Sequence, residues 1–260
     1  MDLLETIIQG IIQGLTEFLP VSSSGHLSLY QHFTGNSGEA SFTLSMVLHL
    51  GTLLAIFIAF RKTVWSIITL KDMRFVGMMC ISLLLLIPFY FFKDFVEEIS
   101  TDNDIVIEGC CFLYTSVLLF LADKWGKGQK QKKDITVKNA VTVGIFQGIA
   151  LMPGISRSGS TICGGLFSGF DRKLAVEYSF ILGIPTILGG CVLELKDMGN
   201  EHISNAQWGS YGIGFLVALI VGLLSIKMVN WLIKSDKFKV FSIYTGLLGI
   251  VTITLGLIGV

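Results

Sequence analysis

Long apolar runs separated by short polar or charged segments make up most of this chain. Six of the runs are about long enough to cross the hydrocarbon core of a bilayer, which takes roughly 20 helical residues. Few charged residues interrupt them, so each is predicted to be a membrane-spanning helix. The predicted spans are Phe42–Phe60, Phe75–Phe92, Ile105–Ala122, Leu174–Leu195, Tyr211–Ile233 and Val240–Val260.

Two further apolar segments, Leu3–Thr34 and Asn139–Phe170, have a different pattern. Each is a short apolar helix, then a break rich in Pro, Gly and Ser, then a second short apolar stretch. Neither half is long enough to span a bilayer. A polar break is costly in lipid unless it lines a protected cavity. We therefore predict two re-entrant helical hairpins that reach the middle of the membrane and return.

Parts of the first hairpin recur in the second. The sequence of Gly10–Gly14 returns at Gly144–Gly148, and that of Ser22–Gly25 returns at Ser156–Gly159, with one substitution in each. The offset is 134 residues in both cases. This repetition predicts a duplicated unit with one composite site where the two copies meet.

The charges of the connecting segments predict the orientation. Basic residues dominate segments 61–74 and 123–138 and the short connection at 234–239, whereas 93–104 and 196–201 are acidic or mixed. Basic connections are retained in the cytoplasm, and here they fall on every second connection. Three spans separate the two copies, so the copies are predicted to have opposite orientations. Both termini and the first hairpin then face outside.

These patterns predict a single all-α, polytopic membrane domain with six full spans, two re-entrant hairpins and inverted-topology repeats at 1–134 and 135–260. The composition agrees, because 52% of the residues are hydrophobic and 15% are charged. Such a composition excludes a soluble enzyme. The formal net charge is zero, which gives no indication of nucleic-acid binding.

The first hairpin contains a possible metal site and a possible nucleophile. Gln13 and Glu17 are four residues apart and share one helix face. An amide oxygen and a carboxylate on one face can hold a hard cation such as Mg²⁺ or Ca²⁺. A serine hydroxyl of the Ser22–Ser24 run with the imidazole of His26 is the minimum set for a nucleophile and its acid–base partner.

The second hairpin has the pattern of a phosphate-binding site. Gly154 and Gly159 allow the backbone to approach a ligand closely, and the following helix N-terminus offers free N–H groups. Within Ser156–Ser158, Arg157 adds a bidentate donor for phosphate oxygens.

A structural interpretation is open for some of these residues. For Ser22, Ser24, Ser158 and Ser160, a structural role in helix caps and close packing fits as well as a functional one. Glu17, His26 and Arg157 favour a functional interpretation, because ionisable groups at membrane depth are costly. His49 has no repeat counterpart; it could be a second polar contact in the cavity, but packing is the preferred interpretation.

The two motifs resemble those of the undecaprenyl-diphosphate phosphatase family of the bacitracin-resistance type. They are Gln13–His26 (QGLTEFLPVSSSGH) and Pro153–Thr161 (PGISRSGST), and the resemblance extends over essentially the whole chain. The first family motif begins with Glu or Gln, followed four residues later by Glu. This chain has Gln13 at the variable position, which leaves Glu17 as the one carboxylate there.

The resemblance implies an activity and a set of site residues. Members of the family remove the terminal phosphate of undecaprenyl diphosphate with a divalent cation, recycle the lipid carrier for peptidoglycan synthesis, confer bacitracin resistance, and are often dimeric. The implied location is the cell membrane, with the active site open to the outer face. The family's motif residues correspond to Ser23, His26, Ser156, Arg157 and Thr161.

The predicted mechanism assigns a role to each group. Arg157, Thr161 and the serines at 22, 24, 156 and 158 hold the phosphates, and Glu17 with Gln13 holds the cation. Ser23 is the preferred nucleophile and His26 its base or the leaving-group acid; direct attack by His26, or by a water that it activates, is the alternative. A secondary transporter or flippase of an anion or lipid phosphate is the competing function, since it would use the same Arg and hydroxyls.

Overall fold

The computed structural model describes residues 2–35, 42–91, 105–152, 154–198, 204–234 and 238–259, and these ranges are helical throughout most of their length. They contain no β-strand beyond an isolated bridge between Lys130 and Phe170. A single 3₁₀ turn covers Lys132–Asp134. The α-helices are α1 (Leu3–Thr16), α2 (Ser23–Thr34), α3 (Phe42–Ala59), α4 (Arg61–Ile68), α5 (Met73–Leu84), α6 (Leu86–Tyr90), α7 (Ile105–Trp125), α8 (Val137–Ile149), α9 (Arg157–Phe167), α10 (Arg172–Met198), α11 (Asn205–Lys234) and α12 (Lys239–Leu257).

Five of these helices are long and apolar enough to cross a membrane. They are α3, α7, α12, residues Arg172–Leu193 of α10 and residues Asn205–Leu232 of α11. A sixth span is possible in α4–α6, where two helical pieces meet at a bend of 95°. The prediction of an all-helical, polytopic membrane protein is therefore confirmed, with five or six apolar spans in the described ranges.

The predicted span Phe75–Phe92 is not one uninterrupted helix. α5 ends at Leu84 and α6 begins at Leu86. Pro88 lies two residues into α6, and it has no N–H to donate to the carbonyl of Leu84 one turn earlier. The proline therefore explains the break, and residue 92 lies outside the described residues.

α11 begins six residues earlier than the pattern of apolar residues predicts. Ser204 and Gln207 form a reciprocal cap: the Ser204 N–H donates to Gln207 Oε1 (2.8 Å), and the Gln207 N–H donates to Ser204 Oγ (3.4 Å). A serine followed by glutamine three residues later is a helix-start signal that the sequence carries. The polar cap extends α11 beyond its apolar part.

α1 packs closely against α11 through its glycines. A Cβ atom on Gly10 would lie 3.0 Å from the carbonyl oxygen of Gly214, and one on Gly14 would lie 2.9 Å from that of Ala218. Glycines four residues apart allow two membrane helices to approach at this distance. This packing fixes the helix that carries Gln13.

α8 packs against α5 in the corresponding way. A Cβ atom on Gly144 would lie 2.7 Å from the carbonyl oxygen of Ser82. Gly144 is the repeat counterpart of Gly10, so both copies use the same glycine for close helix packing. Elsewhere, α7 packs along α12, and α3 packs against α10 and α11.

Hydrogen bonds and an ion pair connect the basic segment between α7 and α8 to other parts of the chain. The Lys130 N–H donates to the Gly169 carbonyl, and the Lys130 carbonyl accepts from the Asp171 N–H, both at 2.9 Å. Lys132 Nζ lies 2.9 Å from Asp72. Burial would raise the pKa of Asp72, but the hydrogen bonds and the charge of Lys132 outweigh it and hold that pKa below its usual range. The predicted acidic connection at 93–104 lies outside the described residues.

Candidate functional site

The two helix breaks meet at one cavity of about 210 Å³. Its walls are the break after α1, the start of α2, the break before α9, the start of α9, and one side each of α3 and α10. The lining residues are Thr16, Glu17, Ser22, Ser23, Ser24, His49, Ala150, Ile155, Ser156, Arg157, Ser158, Thr186, Ile187, Gly190 and Cys191. The structure thus brings together most of the candidate residues that the sequence predicts, from both halves of the chain.

Glu17 is the most highly connected side chain in the cavity. Its Oε1 forms an ion pair with Arg157 Nη2, across 140 residues of sequence. Its Oε2 accepts hydrogen bonds from Ser23 Oγ (2.7 Å) and Gln13 Nε2 (3.2 Å). The side chain is 6% exposed, and a buried carboxylate is tolerated when its oxygens are paired in this way.

Arg157 is the first helical residue of α9, and its side chain is 18% exposed. α10 makes room for it: a Cβ atom added to Gly183 would collide with the guanidinium. The lack of a side chain at Gly183 therefore leaves space for the Arg157 guanidinium beside the cavity. Local sequence could not identify this glycine, because the side chain that needs the space belongs to a different helix.

The helices α2 and α9 start in the same way. Ser22 Oγ accepts from the Gly25 N–H (3.3 Å), and its repeat counterpart Ser156 Oγ accepts from the Gly159 N–H (3.0 Å). The next hydroxyls also correspond, with Ser22 Oγ 3.3 Å from Ser24 Oγ and Ser156 Oγ 3.4 Å from Ser158 Oγ. Both caps are therefore built by equivalent residues of the repeat.

Each of these helix starts presents N–H groups at the cavity. In the described part of the chain, the N–H groups of Ser23 and Ser24 in α2 and of Arg157 and Ser158 in α9 have no acceptor. Helix N-termini carry partial positive charge and bind anions. Two such termini at one cavity, together with Arg157, form a site suited to phosphate groups.

Hydrogen bonds tie the two breaks to each other and to α7. The Gly154 N–H donates to Ser24 Oγ (3.3 Å), and Ser158 Oγ donates to the Leu19 carbonyl (3.2 Å). The Ser156 N–H donates to Thr115 Oγ1 of α7 (3.3 Å). Ser24 and Ser158 thus have a structural role in joining the breaks, and both also line the cavity. Pro153 lies outside the described residues.

Among the described residues, no hydrogen bond joins His26 to Ser23, and His26 is not one of the residues that line the cavity. Its Nδ1 lies 2.7 Å from the Ser22 carbonyl oxygen, and its Nε2 lies 2.8 Å from the Tyr244 hydroxyl. A carbonyl oxygen can only accept, so Nδ1 carries the proton. The ring also stacks on Tyr244, with centroids 5.7 Å apart. In this structure the ring nitrogens of His26 are thus bonded to Ser22 and Tyr244, and the hydrogen-bond partner of the Ser23 hydroxyl is Glu17.

Ser22 has a backbone conformation that its contacts with His26 stabilise. Its φ is 74°, in the left-handed region that L-residues rarely adopt. The Ser22 carbonyl accepts from both the backbone N–H (3.3 Å) and the ring Nδ1 of His26. His26 therefore holds the residue that starts α2.

Thr161 also lies away from the cavity lining. Its hydroxyl is 2.6 Å from Ser179 Oγ and donates to the Arg157 carbonyl (2.9 Å). The residue is buried. Thr161 lies one turn after Arg157 in α9, and its hydroxyl connects α9 to Ser179 of α10 instead of lining the cavity.

His49 lines the cavity, which agrees with the alternative of a second polar contact and not with the preferred packing interpretation. Its Nδ1 lies 2.9 Å from the Ser45 carbonyl one turn earlier in α3. The signal was available, because an ionisable residue inside an apolar span is functional by default. Thr186 of α10 was also missed; it accepts a hydrogen bond from Gln147 Nε2 (3.2 Å).

Few of the described side chains at this site could coordinate a cation. In the described ranges, no group of three or more His, Cys, Asp or Glu side chains is placed to hold a metal ion. Gln13 Oε1, however, is buried and has no hydrogen-bond partner there, and Gln13 Nε2 already contacts Glu17. One carboxylate and one amide oxygen fit a Mg²⁺ ion that keeps waters and substrate phosphates as its other ligands.

Comparisons with known proteins agree with the motifs. The chain is 39% identical over 262 residues to a protein named undecaprenyl-diphosphatase from Halothermothrix orenii, with 98% of each chain covered. It is 41% identical over 259 residues to undecaprenyl-diphosphatase 4 of Bacillus thuringiensis, again with 98% of each covered. A relative named undecaprenyl-diphosphatase from Methanosphaera stadtmanae is 34% identical over 281 residues, with 99% of each covered. The family model described as bacitracin resistance protein BacA matches residues 6–251. The cavity at the two repeated breaks thus lies in a chain that belongs to the bacitracin resistance protein BacA family.

Proposed function

We propose that this membrane protein hydrolyses undecaprenyl diphosphate to undecaprenyl phosphate and inorganic phosphate. The reaction recycles the lipid carrier for peptidoglycan synthesis and confers bacitracin resistance. One observation carries the proposal: the Ser23 hydroxyl is bonded to a buried carboxylate, Glu17, in a cavity that also contains Arg157 and two helix N-termini. The names of its relatives give the same substrate.

Binding of the diphosphate uses the positive groups of the cavity. The Arg157 guanidinium leaves Glu17 and binds phosphate oxygens, with which it can form two parallel hydrogen bonds. The free N–H groups at the starts of α2 and α9 bind the remaining oxygens. Ser22, Ser24, Ser156 and Ser158 shape these two helix starts, and Thr161 connects the helix that carries Arg157 to α10. The prenyl chain extends between the spans into the lipid.

Ser23 is the proposed nucleophile, and Glu17 takes its proton. Ser23 Oγ attacks the terminal phosphorus, the bond from that phosphorus to the bridging oxygen breaks, and undecaprenyl phosphate leaves. The leaving phosphate needs charge neutralisation more than a proton. Water then attacks the phosphorus of the phosphoserine, and the bond from that phosphorus to Ser23 Oγ breaks. Glu17 returns its proton to Ser23 Oγ, and both protons of the water leave with inorganic phosphate.

His26 is assigned a positioning role in this proposal. Its two ring nitrogens are bonded to Ser22 and Tyr244, so general-base catalysis at Ser23 or direct attack by His26 would require the ring to rotate. Instead, His26 holds the Ser22 carbonyl and hence the start of α2. The hydroxyl of Ser23 then stays directed at Glu17.

A divalent cation, Mg²⁺ or Ca²⁺, is part of the proposal. Glu17 Oε1 becomes free when Arg157 turns to the phosphates, and Gln13 Oε1 is the second protein donor. The cation supplies neutralisation of the phosphate charge when it is bound.

The proposed architecture is a pair of inverted repeats, 1–134 and 135–260, with the hairpins as re-entrant elements and the cavity open to the outer face. Reciprocal packing supports it, because α1 of the first copy packs on α11 of the second, while α8 of the second packs on α5 of the first. The equivalent caps at Ser22 and Ser156 support it as well. A homodimer is part of the same proposal, from the family resemblance.

The competing function, transport of an anion or lipid phosphate, needs Arg157 but no nucleophile. The Ser23–Glu17 bond therefore favours hydrolysis. The decisive experiment measures inorganic phosphate released from undecaprenyl diphosphate by the purified protein in detergent, with and without a chelator. Phosphate release that requires Ser23 and Glu17 is expected. Substrate binding with no release by the wild-type protein would favour transport.

A further inference from the structure

A second cavity lies further along α3 and α10, two of the helices that line the first cavity. It has a volume of about 660 Å³ and is bounded by the end of α3, the start of α4, the start of α10 and the second half of α11. Residue Ile58 of α3 lies nine positions after His49, and Glu177 of α10 lies nine positions before Thr186. At 1.5 Å per helical residue, the two cavities are separated by roughly 13 Å along each helix.

Cations dominate the charged residues of this second cavity. They are Arg61, Lys62, Lys173 and Lys227, with Glu177 as the carboxylate. Glu177 Oε1 already accepts a hydrogen bond from Thr63 Oγ1 (2.6 Å). None of the four cations forms an ion pair within the described ranges. The cavity therefore has an excess of positive charge that is not neutralised by its own protein groups.

Part of the cavity wall is apolar. It consists of Ile58, Ala59, Phe60, Leu223 and Ile226. An inorganic anion has no apolar surface to pack against such a wall. A lipid, in contrast, presents a phosphate group and a hydrocarbon chain together. Basic pockets between membrane helices bind the head groups of anionic lipids.

We propose that this cavity is a binding site for an anionic glycerophospholipid. The phosphodiester lies among Arg61, Lys62, Lys173 and Lys227, and an acyl chain lies along Leu223 and Ile226. The site is separate from the catalytic cavity and contributes no group to hydrolysis. Its occupant holds the end of α3, the start of α10 and the second half of α11 together, on the side where the basic connections lie.

A third cavity provides a natural comparison. It is lined by Phe120, Asp123, Lys124, Lys127, Arg172 and Lys239, so it also has four cations and one carboxylate. It differs in two respects: Phe120 is its single apolar residue, and Arg172 Nη2 pairs with Asp123 Oδ1 at 3.1 Å. Charge alone would make the two cavities equivalent, whereas a lipid site requires the apolar wall.

The test compares two triple variants that each remove three positive charges. One is Lys62→Gln/Lys173→Gln/Lys227→Gln in the proposed site, and the control is Lys124→Gln/Lys127→Gln/Lys239→Gln in the third cavity. Retention of phosphatidylglycerol and of phosphatidylcholine is measured by native mass spectrometry of the detergent-solubilised protein. We expect the first variant to retain about tenfold less phosphatidylglycerol than wild type and the control variant to match wild type.

Several outcomes would overturn the proposal. Equal loss in both variants would mean that the lipid responds only to general surface charge. Equal retention of phosphatidylcholine by wild type would exclude recognition of an anionic head group. Displacement of phosphatidylglycerol by millimolar inorganic phosphate would identify a free-phosphate site. If the triple variant does not fold, Lys173→Gln is compared with Lys124→Gln in the same assay. Lipid retention does not depend on hydrolysis, so failure of the proposed activity leaves this test intact.

Discussion

The hydroxyl of Ser23 donates a 2.7 Å hydrogen bond to Oε2 of Glu17. The bond joins the first turn of α2 to the residue that ends α1, across the break between them. Because Arg157 of the second half holds the other carboxylate oxygen, a buried charge, a hydroxyl and a guanidinium form one connected group. This group is the centre of the proposed reaction.

Loss of the Glu17 charge should stop hydrolysis. Glu17→Gln removes the proton acceptor of Ser23 and the proposed cation ligand, so we expect kcat to fall by about 10²–10⁴-fold. Excess Mg²⁺ or Ca²⁺ should not restore it, because a neutral amide is a poorer ligand for a hard cation. Gln13→Glu should remain active, since the family pattern allows either residue. Phosphate release is measured over a metal titration.

The control for this prediction is Glu108→Gln. Glu108 is another carboxylate in an apolar helix, where it accepts from Ser28 Oγ (2.9 Å) outside the cavity. Its replacement should leave turnover near wild type. Full activity of Glu17→Gln would remove the carboxylate from the mechanism.

Ser23→Ala should separate binding from chemistry. A nucleophile acts in the chemical step, so kcat should fall by several orders of magnitude while affinity for the lipid diphosphate is retained. Binding and phosphate release are measured side by side in detergent. Ser28→Ala, five residues further along α2, is the matched control and should hydrolyse normally. Wild-type turnover by both Ser23→Ala and Glu17→Gln would make transport the better hypothesis.

Arg157→Lys should impair the enzyme although the charge is kept. A lysine is a point charge and cannot make two parallel hydrogen bonds to phosphate. We expect kcat/KM to fall by about 100-fold or more. Arg172→Lys is the control, since Arg172 is also an ion-paired, partly buried arginine (22% exposed) but lies in another cavity. Equal activity of the two variants would contradict a bidentate role for Arg157.

The His26 variants distinguish positioning from acid–base catalysis. His26→Ala should be strongly impaired, because the Ser22 carbonyl loses its ring donor and the start of α2 is less well fixed. His26→Gln, whose amide N–H can donate to the same carbonyl, should recover part of the activity, with an unchanged pH–rate profile. Tyr244→Phe, which keeps the stacking, should have a smaller effect.

A different result would assign His26 the other role. If His26→Gln is as inactive as His26→Ala, or if the pH–rate profile loses one limb, the imidazole itself transfers a proton. Circular dichroism and thermal unfolding of each variant show whether the fold is retained.

The topology prediction is tested best at Lys133. The segment 123–138 should be cytoplasmic, because basic connections are retained inside. Lys130 is a poor probe, since both its backbone and its Nζ are hydrogen-bonded, whereas Lys133 is exposed. In a background without the five native cysteines, Lys133→Cys should react with an impermeant reagent only after the membrane is opened. Labelling from outside intact cells would contradict the orientation.

The class of the protein and the position of its motifs follow from local features of the sequence. Apolar length and the Pro, Gly and Ser breaks are local properties, so they predicted the spans and the paired short helices near their observed bounds. Each helix cap also joins residues that are close in sequence. The Ser22 hydroxyl accepts from the N–H three residues later, and so does the Ser156 hydroxyl. The break before α6 and the early start of α11 were also encoded locally, by Pro88 and by the Ser204–Gln207 pair.

Which of these residues meet depends on contacts between helices that are distant in sequence. The partners of Glu17 include a guanidinium 140 residues away, and that contact depends on how α1 packs on α11 and α8 on α5. The direction of His26 depends on Tyr244 of α12, and the place of His49 depends on how α3 lies beside the breaks. Spacing along a chain fixes the face of a helix on which a side chain lies, but packing between distant helices fixes what that face meets.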